Sequence, residues 1–301
     1  MPKLMNRLIP RLLQLAVWML LVHPAYAQLL DIFSAPPKGN LVIVGGGDTP
    51  DDVHSRFVTL SGGPGKARIA VLPMASTKYD EEANEVMDDF RKLGAEAQLV
   101  NLDHEAAGNE VIAKGLEQFD AYWFTGGDQS RLSRVLVGTA ALAAIVRRYK
   151  EGATIGGTSA GASVMSSVML TGRRRKPLNE EEAELLNIAK GMMEVSKGFG
   201  FIKGAIIDQH FMNRARYNRL LSAVLDHPQL IGIGIDEETA LLVRSDGVWE
   251  VMGKYYVKII DARRARIIDD EGPMAKASDI RLHVLPAGSE FDAKRRKVKF
   301  Q

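Results

Sequence analysis

Cysteine is absent from all 301 residues. A thiol nucleophile, a thiolate metal centre and a disulfide framework are therefore excluded, and the fold must be held by its core. A strong charge of one sign is also lacking, with a formal net charge of +2 at pH 7. The first 27 residues carry three basic and no acidic side chains, so the remainder stands at −1. A chain so near neutrality lacks the basic footprint of general nucleic-acid binding. There is no internal repeat and no low-complexity tract.

The N-terminus shows what export needs. Lys3, Arg7 and Arg11 make a basic start, and Leu12 to Val22 is an apolar stretch too short to span a bilayer. It ends at His23 and Pro24, and Ala25-Tyr26-Ala27 is a small-x-small cleavage signal. Residues 1–27 are thus expected to be a signal peptide rather than a retained anchor. Residues 28–37 form a linker ending in two prolines, and residues 38–301 are expected to be a single domain.

Apolar runs alternate with helical periodicity along most of that domain. Asn40 to Val44, Ala67 to Leu72, Ala95 to Leu99 and Asp120 to Phe124 read as strands. Asp80 to Leu93, Val111 to Phe119 and Ser130 to Lys150 read as helices, and a strand at 152–155 leads to Ser159. Phe201 to Ile207 and Leu230 to Ile235 read as further strands, separated by a helix from Asn213 to Val224. After Thr239 the pattern turns to hairpins around Ser245-Asp246-Gly247 and Gly253-Lys254. The expected class is α/β: a mostly parallel sheet with helices on both faces and a hairpin-rich C-terminal part. Sites in such sheets lie beyond the carboxyl ends of strands. The glycine loop at Gly45 to Gly47, the loop at Gly126 and Ser159 all fall there. The first of these lacks the G-x-G-x-x-G spacing of a dinucleotide loop, so a structural or substrate-facing role is expected and no cofactor.

Gly157-x-Ser159-x-Gly161 places a serine at a sharp strand-to-helix turn. Small residues on both sides suit an exposed nucleophile, with Ala160 to Met169 as the following helix. The alternative use is a structural turn with Ser159 as a helix N-cap. A serine nucleophile needs a base. Of five histidines after residue 27, His283 lies within a strand, His227 in a turn, His104 in a polar loop and His54 after the first glycine turn. Only His210 ends a long apolar strand. Glu237 or Asp236, at the end of the next strand, could orient it, with Asp208 as a competitor. Backbone N–H groups of Ala160, Gly127 and Asp128 are the candidate oxyanion donors.

Three stretches together resemble the cyanophycinase and peptidase E group, serine peptidase family S51. They are Gly126 to Gln129, Gly156 to Ala162, and Asp208 to Phe211 with Arg214, Arg216 and Arg219. Ile233 to Glu237, followed by Thr239 and Ala240, adds a fourth. The resemblance implies a glutamine-amidotransferase-like α/β fold, with Ser159 as nucleophile, His210 as base and, in the cyanophycinase branch, Glu237 as its partner. That branch cleaves cyanophycin, a polyaspartate carrying arginine on its side-chain carboxylates, into β-Asp-Arg dipeptides. It also implies that Gln129, Asp208, Gln209, Arg214, Arg216 and Arg219 line the substrate pocket. Arginine forks suit aspartate carboxylates, and Asp208 suits an amine or guanidinium.

The charged segment from Arg173 to Lys190 does not fit the family's pattern, and reads as a solvated loop or a flap over the site. That segment lies where a rim could alter specificity; the resemblance implies cyanophycin or a similar peptide polymer as substrate. Aspartyl dipeptides, or peptide binding without turnover, are the rival readings. No metal, cofactor or nucleic acid is expected, and the default assembly is a two-fold homodimer. An α/β-hydrolase esterase is disfavoured, because that fold places its acid before its histidine in the chain.

Overall fold

The computed structural model describes residues 36–77, 79–175, 187–270 and 272–300. The signal-peptide and most of the linker expectation lie outside the described residues. Residues 37–301 form one compact unit. It begins with β1 (Leu41–Val44), α1 (Asp51–Leu60), β2 (Arg68–Leu72), α2 (Tyr79–Lys92) and β3 (Glu96–Leu99). Then come α3 (His104–Gly108), α4 (Glu110–Leu116), β4 (Ala121–Phe124), α5 (Gln129–Leu136), α6 (Ala140–Glu151), β5 (Thr154–Thr158) and α7 (Ala160–Ser163). The middle of the chain gives β6 (Val168–Arg174), β7 (Met193–Lys197), β8 (Ala205–Asp208), α8 (Tyr217–Asp226) and β9 (Ile231–Ile235). The remainder is β10 (Thr239–Val243), β11 (Val248–Gly253), β12 (Tyr256–Asp261), β13 (Arg266–Ile268), β14 (Lys276–Ser278), β15 (Arg281–Pro286), β16 (Glu290–Asp292) and β17 (Lys297–Lys299).

The central sheet runs β17-β16-β11-β10-β1-β5-β4-β2-β3. Its core, from β1 through β5, β4 and β2 to β3, is parallel. The C-terminal hairpins extend the β1 edge in antiparallel fashion. Both faces are covered, which is why β1 and β4 are uniformly apolar. On one face Val42, Val44 and Trp123 pack against Val53, Phe57 and Phe90 of α1 and α2. On the other, Leu41, Ile43 and Phe124 pack against Leu132, Ile145 and Tyr149 of α5 and α6. Burying such side chains contributes roughly 1.5–3 kcal/mol each, so a core without disulfides is sufficient.

β8 and β9 do not join this sheet. They form a second sheet, β15-β12-β9-β8, with a parallel β8–β9 pair. The two sheets are stitched at one corner. His210 N–H, just past β8, donates to Gly45 O at 2.6 Å across the corner, while the bonds from Gly45 N–H to Thr239 O at 2.9 Å and from Glu238 N–H to Gly46 O at 2.8 Å continue the β1–β10 pairing beside it.

Several expected elements change. Ser130 to Lys150 is two helices, α5 and α6, because Gly138 takes φ +85° and the Thr139 side chain caps the second. The helix expected from Ala160 to Met169 stops at Ser163. Val164 O accepts from Phe199 N–H at 2.6 Å and Met165 O from Ile202 N–H at 3.0 Å, so a neighbouring segment takes the carbonyls the helix would use. His104 opens the short helix α3, N-capped by Asp103, rather than lying in a loop. Helix α1 carries no sequence expectation at all. Of the charged segment, Arg173 and Arg174 end β6 and Ala189 bridges Met274, while 176–186, with its glutamates, lies outside the described residues.

Candidate active site

Ser159 leaves β5 with φ +52° and ψ −108°, a conformation rare for a residue with a β-carbon. Its N–H is anchored on Val44 O at 3.1 Å. That bend keeps the side chain partly exposed, at the carboxyl end of the parallel core. His210 stands just past β8, also at positive φ, +47°. Its Nε2 is 2.9 Å from Ser159 Oγ, and its Nδ1 is 2.6 Å from Glu237 Oε1. The second carboxylate oxygen of Glu237 accepts from Asn213 Nδ2 at 3.0 Å, which fixes its plane. With Nδ1–H held by the carboxylate, Nε2 presents its lone pair to the serine hydroxyl. Burial lowers the imidazole pKa below its ordinary value; Glu237 opposes this, and the Arg214 cation adds to it. The imidazole is therefore harder to protonate than a free one.

The glycine loop after β1 is required by this arrangement. Gly46 has φ +104°, and a β-carbon there would lie 2.3 Å from the His210 ring. The loop is thus the backbone wall of the imidazole. Gly127, with φ +126°, closes on the Ala75 carbonyl, which a β-carbon would meet at 2.4 Å. Among the described residues no backbone carbonyl accepts from the N–H of Gly127 or Ala160. Ala160 is the first residue of α7, where an N–H has no partner within the helix.

Asp128 departs from expectation as an oxyanion donor. Its N–H donates to Ala75 O at 3.0 Å, and its side chain caps α5 by accepting from Ser130 N–H at 2.7 Å. The pocket residues implied by family resemblance also separate. Arg214 is exposed and lines the cavity that holds Ser159 and His210. Asp208 is not open to a substrate amine, because Arg219 forks onto it at 2.7 and 2.5 Å, and both are buried. Arg216 donates to the backbone and side-chain oxygens of Gln209 at 2.7 and 2.6 Å. Neither Asp208, Gln209, Arg216 nor Arg219 lines the cavity. They make a packed network that carries the loop on which His210 sits. Gln129 is buried too, its amide donating to Leu170 O at 2.9 Å. Asp236 is engaged by Lys258 and by Met212 N–H, which leaves Glu237 as the acid on the imidazole.

The cavity, of about 410 Å³, reaches beyond Ser159 to residues with no sequence expectation attached. They include Trp123 and Thr158 from strand ends, and Glu82, Glu85 and Asp89 from α2. His54 of α1 lines it as well. Its burial lowers the imidazole pKa, and Nδ1 lies 3.8 Å from Asp89 Oδ2. A single signal could have found them: α2 places acids three and four positions apart on one helical face, above a strand ending beside the elbow.

An α/β chain with a serine on a strained turn, a histidine on its hydroxyl and a carboxylate on that histidine is by class a serine hydrolase. The family model for peptidase family S51 matches residues 41–251, and the chain belongs to that family. The cyanophycinase of Trichormus variabilis is 34% identical over 274 residues, covering 87% of this chain and 88% of that protein. The cyanophycinase of Geminocystis herdmanii is 33% identical over 270 residues, covering 85% and 94%. Among solved structures, a peptidase from an acI-B1 actinobacterium matches with a TM-score of 0.63 at 23% identity, covering 87% of this chain and 99% of that one. The chain is thus a serine-type peptidase of the cyanophycinase and peptidase E kind.

Proposed function

We propose that this chain is an exported exopeptidase that hydrolyses cyanophycin to β-Asp-Arg dipeptides through an acyl-enzyme. The observation that carries the reading is the relay from Ser159 to His210 to Glu237, at 2.9 and 2.6 Å. Ser159 Oγ attacks the aspartyl carbonyl while His210 Nε2 takes its proton, and Glu237 holds the imidazolium that forms. The carbonyl oxygen becomes an oxyanion, held by the N–H groups of Gly127 and Ala160; losing one such donor costs about 10²–10³ in rate. His210 then returns the proton to the leaving amine, and water repeats the sequence on the acyl ester. Arg214 takes a substrate carboxylate. No step calls on a metal or cofactor. The near-uniform match to two cyanophycinases supports the polymer over aspartyl dipeptides. The basic, apolar and small-x-small order of residues 1–27 supports export.

The test is digestion of cyanophycin by the purified mature chain, with product masses measured. β-Asp-Arg should appear, and Ser159→Ala should lower the rate by roughly four to six orders of magnitude. Intact polymer, or equal rates for the two proteins, would refute the reading. Mass spectrometry of the secreted protein should find Gln28 first, and a chain still beginning at Met1 would refute export.

A further inference from the structure

We propose that the α2 wall of the catalytic cavity is a guanidinium subsite, in which Glu82, Glu85 and Asp89, together with His54 Nε2, receive an arginine side chain of the substrate. The inference rests on the peptidase reading of the same cavity and names residues that set its specificity.

The three acids recur at positions i, i+3 and i+7 of α2, so they share one face, and all three line the cavity that holds Ser159 and His210. Like charges at such spacing oppose one another. Their compensation within the chain is partial. Asp89 accepts from Lys92 at 2.9 Å, and Glu82 is hydrogen-bonded to Ser76. Glu85 has no ion pair or hydrogen bond among the described residues. Partial desolvation beside the cavity, reinforced by Glu81 and Glu85, raises the carboxyl pKa of the surface residue Glu82 above its usual value.

A separate observation points to a ligand. Three residues that line this cavity each carry a buried polar atom with no partner among the described residues: His54 Nε2, Trp123 Nε1 and Thr158 Oγ1. His54 is 5% exposed and Trp123 1%. Buried polar groups are nearly always satisfied, so three orphans among the residues lining one cavity need an explanation. With its proton on Nδ1, facing Asp89, His54 offers a lone pair at Nε2. A guanidinium carries five donors in a planar fork and no acceptor. Carboxylates, the His54 lone pair and the Thr158 hydroxyl are the partners it needs. Trp123 Nε1–H, a donor only, matches an oxygen of the same substrate. Arg214, on a different element, supplies the cation for a carboxylate. The cavity thus suits a zwitterion.

The test uses calorimetry of L-argininamide and L-citrullinamide binding to the Ser159→Ala chain, where no turnover intervenes. Citrulline replaces the guanidinium by a neutral urea of the same shape. Argininamide should bind at least about tenfold more tightly. Glu82→Gln with Glu85→Gln should erase most of that ratio, and raised salt should reduce it. In the active chain the same pair should raise KM for cyanophycin with kcat nearly held. Equal binding of the two amides, no binding of either, or a ratio indifferent to both substitutions would overturn the subsite. Both glutamates are exposed, so the fold should tolerate the change; if the double variant fails to fold, the wild-type ratio of the two amides decides. Selective argininamide binding without cyanophycin turnover would keep the subsite and remove the polymer as substrate. Cyanophycin turnover with no preference between the amides would do the reverse.

Discussion

The residues proposed to be catalytic sit where the backbone is least at ease. Ser159 at φ +52°, His210 at +47° and Glu238 at +53° are three of the few non-glycine residues in the left-handed region, and each touches the relay or adjoins it. Such conformations cost of order 1–3 kcal/mol each. They persist here because neighbours over-determine them: Ser159 N–H on Val44, His210 N–H on Gly45 and Glu238 N–H on Gly46. Gly46 is the position where this constraint is easiest to test. A β-carbon there would stand 2.3 Å from His210 Cε1 and 2.5 Å from Nε2, so the imidazole must leave its place between Ser159 and Glu237. Misplacement by about an ångström costs on the order of 10² in rate. Gly46→Ala should therefore lower kcat about a hundredfold and slow fluorophosphonate labelling of Ser159 by a similar factor. Unchanged labelling would mean that His210 does not depend on this wall.

At the scale of elements, the loop that follows β8 is held from behind. Asp208 closes the strand, Arg219 reaches back from α8 to fork onto it, and Arg216 braces Gln209. The substrate-pocket reading of these residues and the packing reading predict different things. Breaking a buried pair by removing one partner costs about 3–5 kcal/mol, because the other charge is left unpaired. Asp208→Asn should therefore lower the urea midpoint by an amount on that scale, with kcat falling because His210 is two residues on. If it raises KM and leaves stability alone, Asp208 meets substrate after all. The sequence made the elements legible where one period dominates: β1, β2, β4, β9 and the hairpin at Ser245-Asp246-Gly247 lie close to their expected positions, whereas Gly253 and Lys254 join β11 and β12, which pair in two different sheets rather than with each other. It made the relay legible as well, since an elbow serine, a strand-end histidine and a later strand-end acid obey rules of parallel sheets. What it hid depends on partners distant in the chain. The end of α7 is set by Phe199 and Ile202, and the amide of Asp128 by Ala75. The fork of Arg219 onto Asp208 spans a loop that gives no sequence signal. The placing of β8 and β9 in a second sheet was equally invisible, because β12 covers β9 from later in the chain.

At the scale of the whole molecule, two sheets meet at one corner and the active site is their seam. Anything that loosens the seam should register as both stability and activity. Acid is the natural probe. His54, His210 and His283 all have pKa values lowered chiefly by burial, His54 and His210 at the cavity and His283 in the second sheet, against Phe291. In the unfolded chain each takes a proton near pH 6.5. Below that value, and above the depressed folded value, the unfolded state binds protons that the folded state refuses. Stability therefore rises with pH through this window, is complete above about pH 7 and falls as the solution is acidified below about 6.5. Glu117 and Asp270, whose carboxyl pKa values are lowered by salt bridges, add their losses only under stronger acid, Glu117 on the way to about 2. Glu82, raised by partial desolvation, works in the opposite sense. Between pH 7.5 and 5.5 the histidines decide the slope, so the melting temperature should drop across that range. His283→Phe, remote from Ser159, should flatten the drop while leaving the pH dependence of hydrolysis in place. A melting temperature level from pH 7.5 to 5.5 would mean that these imidazoles are wet in the folded chain, and that the seam is open to water.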